Sequence, residues 1–368
     1  MSEFSVLTKP FPSSSQHHHF AHSEKCIEIS VLEIIALLLR TNRVLLRPKC
    51  TFAEATSPLE AYTAPGNHQH TYSQTVLQPI FNNPTPHLST TPKPTMLDIA
   101  SRRKACEDTL KRTPAIAASK TTESSNPLHS TFIPSQLPPL DKSSPSYPSL
   151  TLQPITIHNS DAFALARTLP GPSRTGVLNL ASDEEPGGGW RYTLCKTQEE
   201  ALCYSSTLYP TLNPDWFPFP NTGPGSCAGI LSPHVVVFKD TLDRDLVDLP
   251  PAQQHQVAVI SVAAPCWPKL SPDGQEFAEP ERLEELREKV RLVLRIAAGE
   301  GVTRLVLGAM GCGAYGCPPR VVAREMKGVI GEQEFGGWFE TIVFAVYAAE
   351  RTGMENLKVF EEVFGEGM

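Results

Sequence analysis

Three consecutive glycines, Gly187-Gly188-Gly189, are separated by eight residues from Gln198-Glu199-Glu200. A tract without side chains lets backbone N–H groups come close to a ligand. Two carboxylates at its edge are suited to acid–base work on whatever the tract holds. Together they point to an enzyme acting on a phosphorylated or glycosidic molecule.

A second glycine-rich stretch runs Gly308-Ala309-Met310-Gly311-Cys312-Gly313-Ala314-Tyr315-Gly316-Cys317-Pro318-Pro319. Its N–H groups from Gly311 to Tyr315 could form an anion nest for a diphosphate. Tyr315 could lie over a ribose or base, or pack as an ordinary aromatic at the loop end. No Lys-Ser/Thr follows, so this is not a Walker A loop.

Structural explanations compete for several of these residues. Thr197-Gln198-Glu199-Glu200 reads as a T-x-x-E capping box, with Thr197 as N-cap and Glu200 at N3. Acids in a first helical turn are also favoured by the helix dipole. Asp161, in Asn159-Ser160-Asp161-Ala162-Phe163, suits a helix N-cap and could equally accept a hydrogen bond from an adenine amino group. Cys195 and Cys312 have no histidine obviously paired with them, so a cysteine nucleophile is set aside.

The elements that must carry these groups alternate. Apolar, β-branched runs predict strands over 154–158, 176–181, 234–238, 257–263, 303–308 and 341–346. Helical patterns fall over 161–169, 198–209, 281–298, 319–329 and 354–363, with another over 97–112. The 281–298 helix is the clearest, placing Leu283, Leu286, Val290, Val293 and Leu294 on one face. Continuous apolar strands between helices predict a three-layer α/β/α domain with a mixed, mostly parallel central sheet. Ligands in such folds bind outside the carboxyl ends of strands, where both glycine loops fall.

The ends of the chain differ in composition. Residues 1–95 are rich in Ser, Thr, Pro and His and contain no Asp. They are expected to be disordered, or an extension absent from the native protein with Met96 as its true start. The intact mass of the native protein decides between these. Residues 96–368 form the expected catalytic domain, with 113–150 as a Pro/Ser-rich segment wrapping its surface.

Composition narrows the chemistry further. The formal charge is -7 and the pI near 5.9, a poor basis for nucleic-acid binding, which needs clustered Lys and Arg. Nine cysteines at irregular spacing match no disulfide framework and no paired CxxC zinc site, and read as reduced intracellular thiols. Seven of the eleven histidines precede Leu88 and the rest are scattered, so no metal site is expected. The apolar stretch 27–39 carries Glu28 and Glu33 and is too short to span a membrane.

These pieces, in this order, resemble the microbial-type poly(ADP-ribose) glycohydrolases, a macrodomain-like family. The resemblance lies in Leu178-Asn179-Leu180-Ala181-Ser182, Pro186-Gly187-Gly188-Gly189, Gln198-Glu199-Glu200-Ala201-Leu202-Cys203, Ser205-Ser206-Thr207-Leu208-Tyr209 and Gly311-Cys312-Gly313-Ala314-Tyr315-Gly316. It covers roughly Met96 to the C-terminus. It implies a macrodomain-like fold and hydrolysis of the ribose–ribose O-glycosidic bond of poly(ADP-ribose), releasing ADP-ribose without cofactor or metal. Glu200 would be the catalytic acid, and Glu199 would orient the distal ribose beside Gln198. Gly187, Gly188 and Gly189 would pack around that ribose. Gly311, Cys312, Gly313, Ala314 and Tyr315 would hold the diphosphate. Asp161 looks like the macrodomain adenine contact, and Asn179 matches a structural or ribose-facing asparagine. The implied partners are ADP-ribose polymer or ADP-ribosylated proteins, met by a monomer in the cytoplasm or nucleus. A non-catalytic ADP-ribose reader, or a hydrolase of mono-ADP-ribosylated substrates, would use the same pocket.

Overall fold

The computed structural model of the protein describes residues 97–120, 126–348 and 351–365. The expectations for residues 1–95 lie outside the described residues. Seven strands form one sheet: β1 (Thr131–Ile133), β2 (Thr156–His158), β3 (Thr175–Leu180), β4 (Gly229–Val237), β5 (His255–Val262), β6 (Arg304–Leu307) and β7 (Thr341–Ala345). Their order is β1-β4-β5-β3-β6-β7-β2. From β5 to β2 all neighbours are parallel, while β4 runs antiparallel to β5 and to β1. The sheet is thus mixed and mostly parallel, as expected.

Alternation along each central strand builds two cores. Val177, Val259, Val306 and Val343 point to one face, where they meet α1 (Ile99–Ser119), α2 (Ala162–Thr168) and α3 (Gln198–Ser205). Leu178, Ile260, Leu305 and Phe344 point to the other, against α4 (Pro280–Gly299), α5 (Pro319–Ile330) and α6 (Arg351–Gly365). Buried on both faces, these strands read as unbroken apolar runs. Leu178 is fully buried, and its truncation to Ala would cost about 2–5 kcal/mol.

Several boundaries differ from the sequence expectation for local reasons. β4 begins at Gly229 rather than near 234, because Pro233 sits within a register shift between Ser232 and Val235. A bulge is where a strand tolerates proline. α1 runs on to Ser119 through Pro114, and the Thr113 hydroxyl donates to the Thr109 carbonyl at 2.8 Å in the turn that proline weakens. α3 stops at Ser205 instead of 209. There the Ser205 and Ser206 hydroxyls donate to the Ala201 and Leu202 carbonyls, and Ser206 turns extended to bridge Val237. The 126–155 segment lies across the α4 side. Leu137, Leu140 and Tyr147 pack on that core, and the Leu150 and Gln153 N–H groups donate to Gly337 and Glu340.

Three adjacent parallel strands, β5-β3-β6, end at one edge. That register brings together the Ser182–Gly189 loop after β3, the Ala263–Trp267 loop after β5 and the Gly308–Pro318 loop after β6.

Candidate active site

The first loop is shaped by its glycines. Gly187, Gly188 and Gly189 have φ of 67°, 58° and 91°, the left-handed region that side chains disfavour. A Cβ on Gly188 would sit 2.9 Å from Glu199 Oε2 and 3.6 Å from Glu200 Oε1. The bare backbone at Gly188 is therefore faced by both carboxyls.

Glu199 is fixed at both oxygens. Oε1 accepts from Asn179 Nδ2 at 3.0 Å, and Oε2 accepts from the Ser182 N–H at 2.8 Å. Asn179 spends its other amide hydrogen on Ser261 Oγ at 3.0 Å, and its Oδ1 has no partner among the described residues. Asn179 is fully buried, and its amide holds Glu199 in place. An unpartnered buried carbonyl costs about 1–3 kcal/mol, a penalty consistent with a side chain retained for orientation.

Glu200 is held differently. Thr197 is the N-cap residue of α3 yet makes no side-chain cap bond to the backbone. Its hydroxyl donates to Glu200 Oε2 instead. Only half of the expected capping box forms: Glu200 accepts from the Thr197 N–H, while the reciprocal bond is absent. With Oε2 on Thr197, Oε1 is the oxygen turned to Gly188.

Burial raises both acids. Glu199 is pushed up to about 8 by desolvation and by its neighbour Glu200, against the lowering pull of the Ser182 N–H and the Asn179 amide. Desolvation lifts Glu200 to about 7, against backbone N–H bonds from Glu200 itself and Thr197, with Glu185 raising it further. A carboxyl that retains its proton near neutrality can serve as a general acid.

Gln198 serves the strand. Its Nε2 donates to the Leu178 carbonyl at 2.7 Å, and its Oε1 accepts the Leu180 N–H at 2.9 Å. The β3–β6 pairing ends at Val177, so the Gln198 amide takes over the ladder one residue further on and anchors α3 to β3. Asp161 caps α2, accepting from the Phe163 and Ala164 N–H groups at 2.8 and 3.0 Å. It shares a small cavity with Ser205 and Lys239. Ser205 is the last residue of α3, whereas the glutamates occupy its first turn, so Asp161 is not gathered with them.

The second loop is more open. Gly313 and Ala314 are exposed, and among the described residues no backbone acceptor takes the N–H of Gly313, Ala314 or Tyr315. Three successive N–H groups without a backbone acceptor are the material from which anion nests are built. Cys312 turns its buried thiol away, toward the Met310 carbonyl at 3.6 Å. Tyr315 reaches across to the first loop: its hydroxyl donates to Asp183 Oδ1 at 2.5 Å and accepts the Asp183 N–H at 3.2 Å.

Asp183, Ser182, Ser261 and the Thr197 hydroxyl were not singled out from sequence. Only Thr197 carried a signal there, as an N-cap. Among the described residues no group of three or more His, Cys, Asp or Glu could hold a metal, and no helix is long and apolar enough to cross a membrane. A cavity of about 510 Å³ lies elsewhere, between Gly223–Cys227 and α4. Its Glu284, Glu285 and Glu288 are paired with arginines.

Comparison with known proteins gives independent findings. The family model described as the microbial-type PARG catalytic domain matches residues 89–240. No curated protein sequence matches. Among solved structures, the poly(ADP-ribose) glycohydrolase from Thermomonospora curvata is similar at 26% identity and a TM-score of 0.57, covering 72% of this chain and 99% of that one. Its form bound to the inhibitor ADP-HPD is similar at 27% identity and a TM-score of 0.56, with the same coverage. The Deinococcus radiodurans glycohydrolase in complex with ADP-ribose is similar at 30% identity and a TM-score of 0.50, covering 60% of this chain and 88% of that one.

Proposed function

Because this chain belongs to the family of microbial-type poly(ADP-ribose) glycohydrolases, we propose that it hydrolyses the ribose–ribose O-glycosidic bond of poly(ADP-ribose) and releases ADP-ribose, with Glu200 as general acid. The observation that carries this reading is the convergence of two buried carboxyls on the side-chain-free Gly188.

The reaction passes through an oxocarbenium-like transition state. Glu200 Oε1 gives its proton to the leaving ribose oxygen, while Thr197 holds Oε2. Glu199 accepts from Asn179 and Ser182, and its remaining lone pairs, with the proton it keeps near neutrality, are left to bond the hydroxyls of the distal ribose. Gly187–Gly189 line that sugar, and the N–H groups of Gly313, Ala314 and Tyr315 bind the diphosphate. Water attacks the anomeric carbon, and Glu200 recovers a proton as the products leave. The solved relatives in complex with ADP-ribose and with ADP-HPD support a nucleotide-sugar ligand for this site.

The test is release of ADP-ribose from poly-ADP-ribosylated and mono-ADP-ribosylated protein, read by chromatography, for the wild type and Glu200→Ala. We expect product from the polymer with the wild type. In the variant, turnover should fall by about 10²–10⁴ with ADP-ribose binding retained. Near-normal turnover in the variant removes Glu200 from its role. Wild-type binding without product makes the protein a reader, and product from the mono-modified protein alone makes it a hydrolase of single units.

A further inference from the structure

The loop after β5 takes no part in the acid chemistry, yet its backbone is tied down almost atom by atom. Lys289 Nζ donates to the Ala263 carbonyl at 2.8 Å and to the Asn221 carbonyl at 2.9 Å. Asn221 Nδ2 donates to the Ala264 carbonyl at 2.8 Å, and its Oδ1 accepts the Cys266 N–H at 2.7 Å. The Cys317 thiol donates to the Pro265 carbonyl at 3.1 Å. The Trp267 N–H donates to the Tyr315 carbonyl at 2.9 Å. Lys289 is fully buried on α4, and that helix is itself fastened by Arg287–Glu325, Arg291–Glu332 and Arg295–Glu334 pairs. Burial drives the Lys289 ammonium down to about 8, so keeping it there is costly.

What this scaffold presents is Trp267. At 65% exposure it is the most exposed large apolar side chain among the described residues. Its φ is 48°, a left-handed backbone that a bulky residue adopts only when its surroundings impose it. One edge of the indole lies against Gly316, where a Cβ would come within 2.9 Å of two ring atoms. Much of the ring stays open to solvent. A strained, exposed aromatic on an immobilised loop is a preorganised contact surface. It adjoins the anion nest through the Tyr315 carbonyl.

We propose that Trp267 is a stacking platform for an adenine base of the ADP-ribose chain, kept rigid by Lys289 and Asn221. The inference rests on the proposed substrate: each unit of that polymer carries one purine beside a diphosphate, and the platform lies beside the nest. Stacking on an aromatic face needs no hydrogen-bond reader and tolerates an exposed site.

The experiment uses the full chain and short ADP-ribose oligomers. Trp267→Ala and Trp267→Leu should each raise KM about tenfold with kcat changed less than about twofold, whereas Trp267→Phe should restore KM to within about threefold of wild type. In the Glu200→Ala background, oligomer should quench the part of the tryptophan emission that Trp267→Phe removes. Trp267→Gly should melt no lower than wild type, because glycine relieves the left-handed backbone, and should bind as weakly as the Ala variant. Leu rescuing as well as Phe, an unchanged KM in the Ala variant, or a lowered melting temperature in the Gly variant would each overturn the platform. A wild type that quenches with oligomer but releases no product would fault the proposed hydrolysis and leave the platform standing.

Discussion

In the first glycine loop, all three glycines hold a left-handed backbone, and a Cβ on each would come within 2.8–2.9 Å of Tyr209, Glu199 or Thr193. In the second, Gly313 has no positive φ and nothing within 4 Å of the same position. Both tracts look alike as composition. One is bare because the protein's own carboxyls and rings are packed against it. The other, at Gly313, is bare toward open space. The first loop is a wall against which acids are aimed; in the second, Gly311 and Gly316 are packed in the same way, at φ of 75° and 68° with a Cβ 2.7 Å from Ala264 and 2.9 Å from Trp267, and the room lies at Gly313.

The sharpest break of that contrast is Gly188→Ala. The new methyl would collide with Glu199 Oε2 in a backbone of φ 58°, displacing the pair proposed to meet substrate. Turnover should fall by about a hundredfold or more, with a stability loss of about 1–2 kcal/mol; steady-state rates and chemical melts measure both. Gly313→Ala probes the other side. With nothing to strike, it should leave the melt within about 0.5 kcal/mol while raising KM roughly tenfold, because the methyl would enter the space in which the proposed diphosphate lies. A melt that drops instead would show the two loops to be built alike.

Smaller effects concern protonation at the first loop. The Thr197 hydroxyl stabilises the ionised form of Glu200. Thr197→Val should therefore carry the alkaline limb of kcat to higher pH, and Thr197→Ser should return it. An unmoved limb would release Thr197 from that role. The smallest effect is on stability. Burial raises Glu200 from 4.5 in the unfolded chain to about 7 in the fold. The folded state then holds a proton that the unfolded chain has shed, so this contribution is complete below the unfolded value and is lost as pH rises through the folded one. Glu200→Gln should melt a few degrees above wild type at about pH 8 and converge with it at about pH 4, as calorimetry across that range would show.

Much of the architecture was legible because it follows from local chemistry. Apolar runs such as Val257–Val262 and the one-sided face of α4 mark elements buried on two sides or on one. Where reading failed, a tertiary partner had intervened. Pro233 sits inside a strand because a bulge accommodates it. α3 ends at Ser205 because Ser206 is drawn to Val237. Asp161 forms the helix N-cap that its sequence context suggested, and Gln198 bonds the backbone of β3, a tie that no short-range pattern signals.

The chain itself determined which groups are available: a glycine tract, two acids close after it, and a second glycine-rich stretch. Those are properties of residue type and short spacing, and they survive any packing. Which oxygen of Glu200 faces Gly188, that the Asn179 amide bonds Glu199, and why a lysine is buried beneath an exposed tryptophan were decided only when β5, β3 and β6 ended side by side. Hydrogen bonds across 20, 26 or 132 positions of sequence depend on strand order, and strand order is fixed by burial summed over the whole sheet rather than by any single segment.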